Sequence, residues 1–192
     1  MRKKNFDENI VLERAVNLFS RKGYNATTAQ DMVDELGISR SSLYDTFIDK
    51  RTIFIKSLKR YEELTTDILI NMLEAAKNPE RAINLIFHDT IQQSVADNSL
   101  KGCLMVNTTV ELVNDDKEIA DIVRNNNQKF EAALAKIIEK GQEEGSFSKR
   151  ETAATFAHFI SGIMGALRLV AKSGANKKTM EDIVKVGLFA LK

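Results

Sequence analysis

Apolar residues recur three and four positions apart along almost the whole chain, the spacing of one helix face, and no convincing run alternates with period two. The first such segment predicts a helix from Asp7 to Lys22. Ile10, Val11, Ala15, Leu18 and Phe19 share its inner face, and Gly23 stands just past its end. A second, short helix opens at Thr28, with Asp31 three residues on as in a capping box. It carries Met32, Val33 and Leu36 and stops at Gly37. A third follows at once, Arg40 to Phe47, with Ser39 as N-cap and Ile38 and Leu43 at the two positions of a hydrophobic staple. Asp49 caps a fourth, with Ile48 and Ile53 as a further staple. It runs to about Ala76 with Phe54, Leu58, Tyr61, Leu64 and Ile68 along one side.

The pattern continues in kind. Asn78-Pro79 reads as N-cap and first residue of a helix reaching about Ala96. Asp97–Gly102 is a loop, Cys103–Val113 a short apolar helix, and Asn114 the cap of a seventh helix ending near Gly145. Ser148-Lys149-Arg150-Glu151 reads as a capping box for an eighth that reaches about Lys172 before Gly174. The last, Lys177 to Leu191, carries Met180, Ile183, Val184, Gly187, Leu188 and Leu191 at core spacing. The fold class is all-α, with about nine helices. Only one proline, Pro79, interrupts 192 residues, which suits long helices.

Charge sharpens the picture slightly. Residues 1–60 carry 12 Lys/Arg against 8 Asp/Glu, and residues 61–192 carry 16 against 19. A mildly basic head on a mildly acidic body suits phosphate contact at one end, although so small a difference also arises by chance. The lone cysteine, Cys103, excludes an intrachain disulfide and leaves no cysteine cluster for zinc. No metal or cofactor is expected. No signal peptide is visible and no stretch of about 18 apolar residues is apparent, so the expectation is a cytoplasmic protein with no membrane partner.

Two short helices joined at a glycine form a helix-turn-helix, whose second helix enters the major groove of DNA with its first turn toward the bases. Here that turn is Arg40-Ser41-Ser42: arginine can bridge a guanine, and serine serves either base. Leu43 and Phe47 point back to the core, and Tyr44 can offer its hydroxyl to a phosphate. Lys50 and Arg51 stand at the start of the fourth helix, where free backbone N–H groups already favour an anion, and Thr28 has the same place on the second. Short helix pairs with a glycine turn also occur in proteins that never touch DNA. The rival readings are a helical enzyme and a helical protein-interaction module. Against an enzyme, the sequence holds no Gly-rich phosphate loop, no metal-spaced His/Cys set and no nucleophile with an evident base.

From about Ile10 to Ile55 the chain resembles the TetR family of bacterial transcriptional regulators. The resemblance rests on Ala15-Val16-Asn17-Leu18-Phe19, Gly23-Tyr24, Thr27-Thr28, Leu36-Gly37-Ile38-Ser39-Arg40-Ser41-Ser42-Leu43-Tyr44, Phe47 and Asp49-Lys50. It implies a three-helix DNA-binding head over residues 1–50, joined by the fourth helix to a helical effector-binding and dimerisation body over 51–192. It implies double-stranded operator DNA as partner, contacted by Thr28, Ser39, Arg40, Ser41, Ser42, Tyr44 and Lys50. Asp45 and Thr46 depart from the aromatic or histidine residues common there in the family, so base preference is left open.

The resemblance further implies a homodimer through the last two long helices. The small residues Ser161-Gly162 and Gly165-Ala166 are spaced to let helices approach, and Phe159, Ile163, Leu167, Val184, Leu188 and Leu191 are candidates for the seam. It also implies a small-molecule effector that releases a repressor from its operator. Candidate pocket residues are Phe87, Ile91, Cys103, Asn107, Glu111, Phe130, Leu134 and His158, with His88 nearby. Each has a plainer alternative: the histidines as surface or packing groups, Cys103 as a small buried hydrophobe, Phe87 and Phe130 as core. Asn107 and Glu111, four apart on one helix face, need partners if buried: each other, water or a ligand.

Overall fold

A computed structural model describes residues 6–95 and 102–192. Every regular element among them is helical: α1 (Glu8–Lys22), α2 (Ala29–Leu36), α3 (Arg40–Phe47), α4 (Lys50–Tyr61), α5 (Asp67–Ala75), α6 (Pro79–Val95), α7 (Leu104–Leu112), α8 (Lys117–Glu143), α9 (Ala153–Lys172) and α10 (Lys177–Leu188). A π turn, Glu62–Thr66, joins α4 to α5, and a 3₁₀ turn, Phe189–Leu191, extends α10. With α4 and α5 taken as one run, the described residues form nine helical stretches. The expected loop Asp97–Gly102 falls, apart from Gly102, outside the described residues, as does Ala96.

Most caps sit where the side-chain chemistry puts them. Asp7, Ser39, Asp49 and Asn176 each accept a hydrogen bond from a backbone N–H in the first turn that follows. Thr28 and Asp31 close a reciprocal capping box, and Asn78 accepts from the Arg81 amide at 2.7 Å. Three local expectations fail. Ile48 forms no staple: its backbone turns left-handed, φ +66°, and its side chain is 75% exposed, while Ile53 is fully buried. The stronger acceptor Asp116, rather than Asn114, caps α8 through the Ile119 amide at 3.2 Å. The cap of α9 lies four residues beyond the expected Ser148. Thr152 caps it, and Ser148 instead accepts from the Arg150 amide.

The helices pack into two compact units, which do not coincide with a division at residue 50. The first comprises the chain up to Thr65 together with Cys103–Val123; the second comprises Thr66–Gly102 and Arg124–Lys192. In the first unit α1 lies against α4 and α2, and α7 packs on α1 and α4. Phe19 meets Phe54 edge-on at a centroid distance of 4.9 Å, and Tyr24 closes on Phe54 at 4.7 Å. Leu104, Met105 and Leu112 of α7 are buried in the same core. Each such side chain contributes on the order of 1.5–3 kcal/mol on burial, so α7 is an integral part of this unit.

In the second unit α6 packs on α5, α9 and α10 around Leu73, Ile83, Ile86, Leu134, Ile160 and Leu167. The helix α9 corrects one expectation, because it is long and apolar enough to cross a membrane by length and composition. Part of its apolar surface is buried in the unit, including Phe156, Ile160, Met164 and Leu167. Phe159 and Leu169 remain on an outer face.

Candidate nucleic-acid interface

The helix-turn-helix is built from the inside outward. Met32 and Leu36 of α2 and Leu43 and Phe47 of α3 are buried, which fixes both helices on α1 and α4. The turn between them needs Gly37, whose φ of +67° lies in the left-handed region that side chains disfavour. The Arg14 guanidinium donates to the Leu36 carbonyl at 3.1 Å and ties that turn to α1. Two surface ion pairs brace the same region, Arg21 with Glu35 and Lys22 with Asp31. Hydrogen bonds from Lys22, foremost, and from Thr28 hold the Asp31 carboxyl far below its ordinary range.

With the apolar positions turned in, the opposite face of α3 presents Arg40, Ser41 and Tyr44 to solvent. The Arg40 guanidinium lies 5.9 Å from the Tyr44 ring centroid, which aligns both side chains along one edge of the helix. Ser39 and Ser42 are engaged in the cap: the Ser39 hydroxyl accepts from the Ser42 amide at 3.2 Å and donates to the Ser42 hydroxyl at 2.9 Å. Ser41 stands 3.0 Å from the Ser39 hydroxyl at the rim of that network. Thr28 is exposed, and its hydroxyl closes the α2 box, accepting from the Asp31 amide and donating to the Asp31 carboxylate.

The basic start of α4 divides into two roles. Lys50 folds its ammonium over the Tyr24 ring, 4.4 Å from the centroid, and burial pushes its pKa down from the ordinary lysine value. Arg51 turns away from the helix-turn-helix. It donates to Asp116 at 2.7 Å and 3.1 Å and to Glu118 at 2.7 Å. Tyr24 belongs to the sequence pattern but not to the predicted contact set. Its ring seats Lys50 and packs against Phe54, a role that only the fold reveals.

The candidate pocket residues separate. Cys103 is buried in the first unit with its thiol 3.1 Å from the Tyr61 hydroxyl. The Asn107 amide donates to the Ser20 carbonyl at 2.7 Å. The Glu111 carboxylate accepts from the Asn25 amide at 2.8 Å. The polar pair on α7 thus finds its partners on α1 and on the α1–α2 connection. Phe87, Ile91 and Leu134 lie in the core of the second unit with Phe130 packed against it. His158 is exposed on α9, with its imidazole 3.8 Å from Glu131.

Comparison with known proteins agrees with this architecture. Residues 11–56 match the family model described as bacterial regulatory proteins, tetR family. Residues 80–186 match the tetracyclin repressor-like, C-terminal domain. The HTH-type transcriptional regulator YezE of Bacillus subtilis is 30% identical over 191 residues, covering 99% of this chain and 98% of that protein. The HTH-type transcriptional repressor ComR of Escherichia coli is 25% identical over 183 residues, covering 95% and 87%. Among solved structures, the TetR family regulator CifR, as a cysteine mutant with 26-bp operator DNA, superposes with a TM-score of 0.87. It is 19% identical, and all of both chains is covered. A head of this geometry, a body matched over more than half the chain and a relative alike from end to end lead to one assignment: the protein belongs to the tetR family of bacterial transcriptional regulators.

Proposed function

We propose that the protein is a repressor that grips operator DNA as a homodimer and lets go when a small molecule binds its body. The observation that carries the DNA reading is the outer face of α3. Arg40, Ser41 and Tyr44 are exposed, while Leu43 and Phe47 beneath them are anchored. Arg40 and Ser41 suit base edges, and the Tyr44 hydroxyl, Lys50 and Thr28 suit phosphates. Ser39 and Ser42 act mainly by holding the first turn of α3 in shape.

Two recognition helices must stand about one duplex turn, roughly 34–36 Å, or a multiple of it apart, so the reading needs a twofold partner. The outer face of α9 and α10 suits that role. Phe159, Val186 and Phe189 are 45%, 69% and 63% exposed in the single chain. A Cβ added at Gly162 or Gly165 would meet open space. An apolar face with room for a close helix is what a self-complementary seam needs. The effector reading is supported by two buried oxygens of the second unit, Thr90 Oγ1 and Asn126 Oδ1, that lack a hydrogen-bond partner among the described residues. Such groups favour a polar ligand that can reach them.

The test begins with selection of bound sites from random duplex DNA. On the selected operator, Arg40→Ala is expected to weaken binding by about 1–3 kcal/mol and relax preference at one base pair. Tyr44→Phe is expected to weaken binding to all sequences alike. Unchanged affinity for both variants, or affinity that does not fall with rising salt, removes α3 from the interface.

A further inference from the structure

A groove of about 640 Å³ runs between α6 and α10 in the second unit. Its floor is apolar: Phe87 and Ile91 from α6 and Val184 and Leu188 from α10. Its rim is cationic on balance, with Arg81 at one side and Lys177, Lys185 and a single carboxylate, Glu181, at the other. Lys177 is drawn to Glu181, 3.7 Å away. Arg81 and Lys185 have no ion-pair partner among the described residues, and both are exposed. The volume lies within the range of small-molecule sites, roughly 300–1,000 Å³.

The groove is separate from the proposed dimer seam. Residues 177, 181, 184, 185 and 188 recur at spacings of three and four and share one face of α10. Thr179, Ile183 and Val186 lie on the opposite face, beside Phe159 and Ile163 of α9. A dimer formed through that second face leaves the groove open to solvent.

We infer that the groove between α6 and α10 binds an amphipathic organic anion, an apolar body on Phe87, Ile91, Val184 and Leu188 with its acid group between Arg81 and Lys185. An apolar floor alone would take any greasy molecule; two cations without ion-pair partners on opposite walls select one that carries a negative charge. Binding here stands independently of DNA, and only its regulatory meaning rests on the effector reading.

Methyl NMR of the full chain, titrated with decanoate below its micelle threshold, tests the site. Saturable shifts confined to Ile91, Val184, Leu188 and Leu85, which also lines the groove, are expected. Decanol, equal in length but uncharged, should bind more weakly. The double variant Arg81→Gln/Lys185→Gln should lose roughly tenfold in decanoate affinity, the scale of two part-exposed ion pairs, and keep its decanol affinity. Absent shifts, shifts centred on Ile163, Ile183 and Val186, or equal affinity of wild type and double variant for decanoate would overturn the proposal. Operator release by decanoate is a separate measurement, and its failure counts against the effector reading alone.

Discussion

Gly23, at the end of α1, permits a test of how α7 is fastened to the helix-turn-helix. Its backbone sits at φ +81°, ψ 171°, a region essentially reserved for glycine. A Cβ there would also stand 2.2 Å from Glu111 Oε1. The substitution Gly23→Ala therefore does two things. It imposes backbone strain, about 1–3 kcal/mol. It also drives the Glu111 carboxylate aside, so that the Asn25 amide loses its 2.8 Å acceptor. That bond is charge-assisted but partly in water, so its loss costs about 1 kcal/mol. The sum is about 2–4 kcal/mol. In a Glu111→Ala background only the backbone part remains, so the coupling between the two sites is about 1 kcal/mol.

The protein provides its own probe for this cycle. It has no tryptophan, and all three tyrosines, Tyr24, Tyr44 and Tyr61, lie in the first unit. Tyrosine fluorescence during urea unfolding thus follows that unit. With a slope of about 2 kcal/mol per molar urea, Gly23→Ala should lower the midpoint by about 1–2 M, and by about 0.5 M less when Glu111 is already alanine. Equal losses in both backgrounds would mean that Glu111 does not reach Gly23, and the account of how α7 is fastened would fail.

Further expectations concern acid stability and assembly. The Arg51 guanidinium, its principal partner, pulls the Asp116 carboxyl down to about 2. A carboxyl lowered on folding stabilises the protein above its unfolded pKa, near about 4, and that stabilisation disappears as the pH falls through the folded value. Asp116→Asn should therefore lower midpoints at neutral pH and narrow the gap to wild type between pH of about 4 and about 2, as followed by tyrosine fluorescence; a constant gap would refute the pairing. A Cβ at Gly165 has no described atom within 4 Å, so Gly165→Trp has room to leave the backbone and should keep the helical circular dichroism intact. It should shift the proposed dimer toward monomer in sedimentation analysis, and an unaltered mass would place the seam elsewhere.

The head was legible because its signals are local. Thr28 with Asp31, Ser39 with Ser42 and Asp49 with Thr52 are contacts within three residues, and a spacing rule captures them. Burial of Leu43 and Phe47 beneath an exposed Arg40 and Tyr44 follows from helical periodicity in the same way. Ile48 misled because the staple pattern counts apolar residues and cannot see a left-handed backbone. Ser148 misled because a serine three residues before a glutamate is only one of several ways to open a helix, and Thr152 was the cap in use. The groove between α6 and α10 was half legible. Phe87 and Ile91 are among the pocket candidates, but no spacing within α6 indicates that Lys185 of α10 lines the same groove as Arg81.

The polar residues of α7 show where such reasoning ends. Asn107 and Glu111 look like ligand-binding groups because they are polar positions on an apolar helix that must satisfy their hydrogen bonds. That demand is real, but sequence cannot say who meets it. Their partners, the Ser20 carbonyl and the Asn25 amide, lie 87 and 86 positions away along the chain. Pairings of that range leave no periodicity to read. Because one unit contains both α7 and the helix-turn-helix, the same hydrogen bonds that satisfy α7 also hold the end of α1 and its connection to α2. Any influence that shifts α7 must break or carry those bonds, and so acts directly on the frame that carries Arg40 and Tyr44.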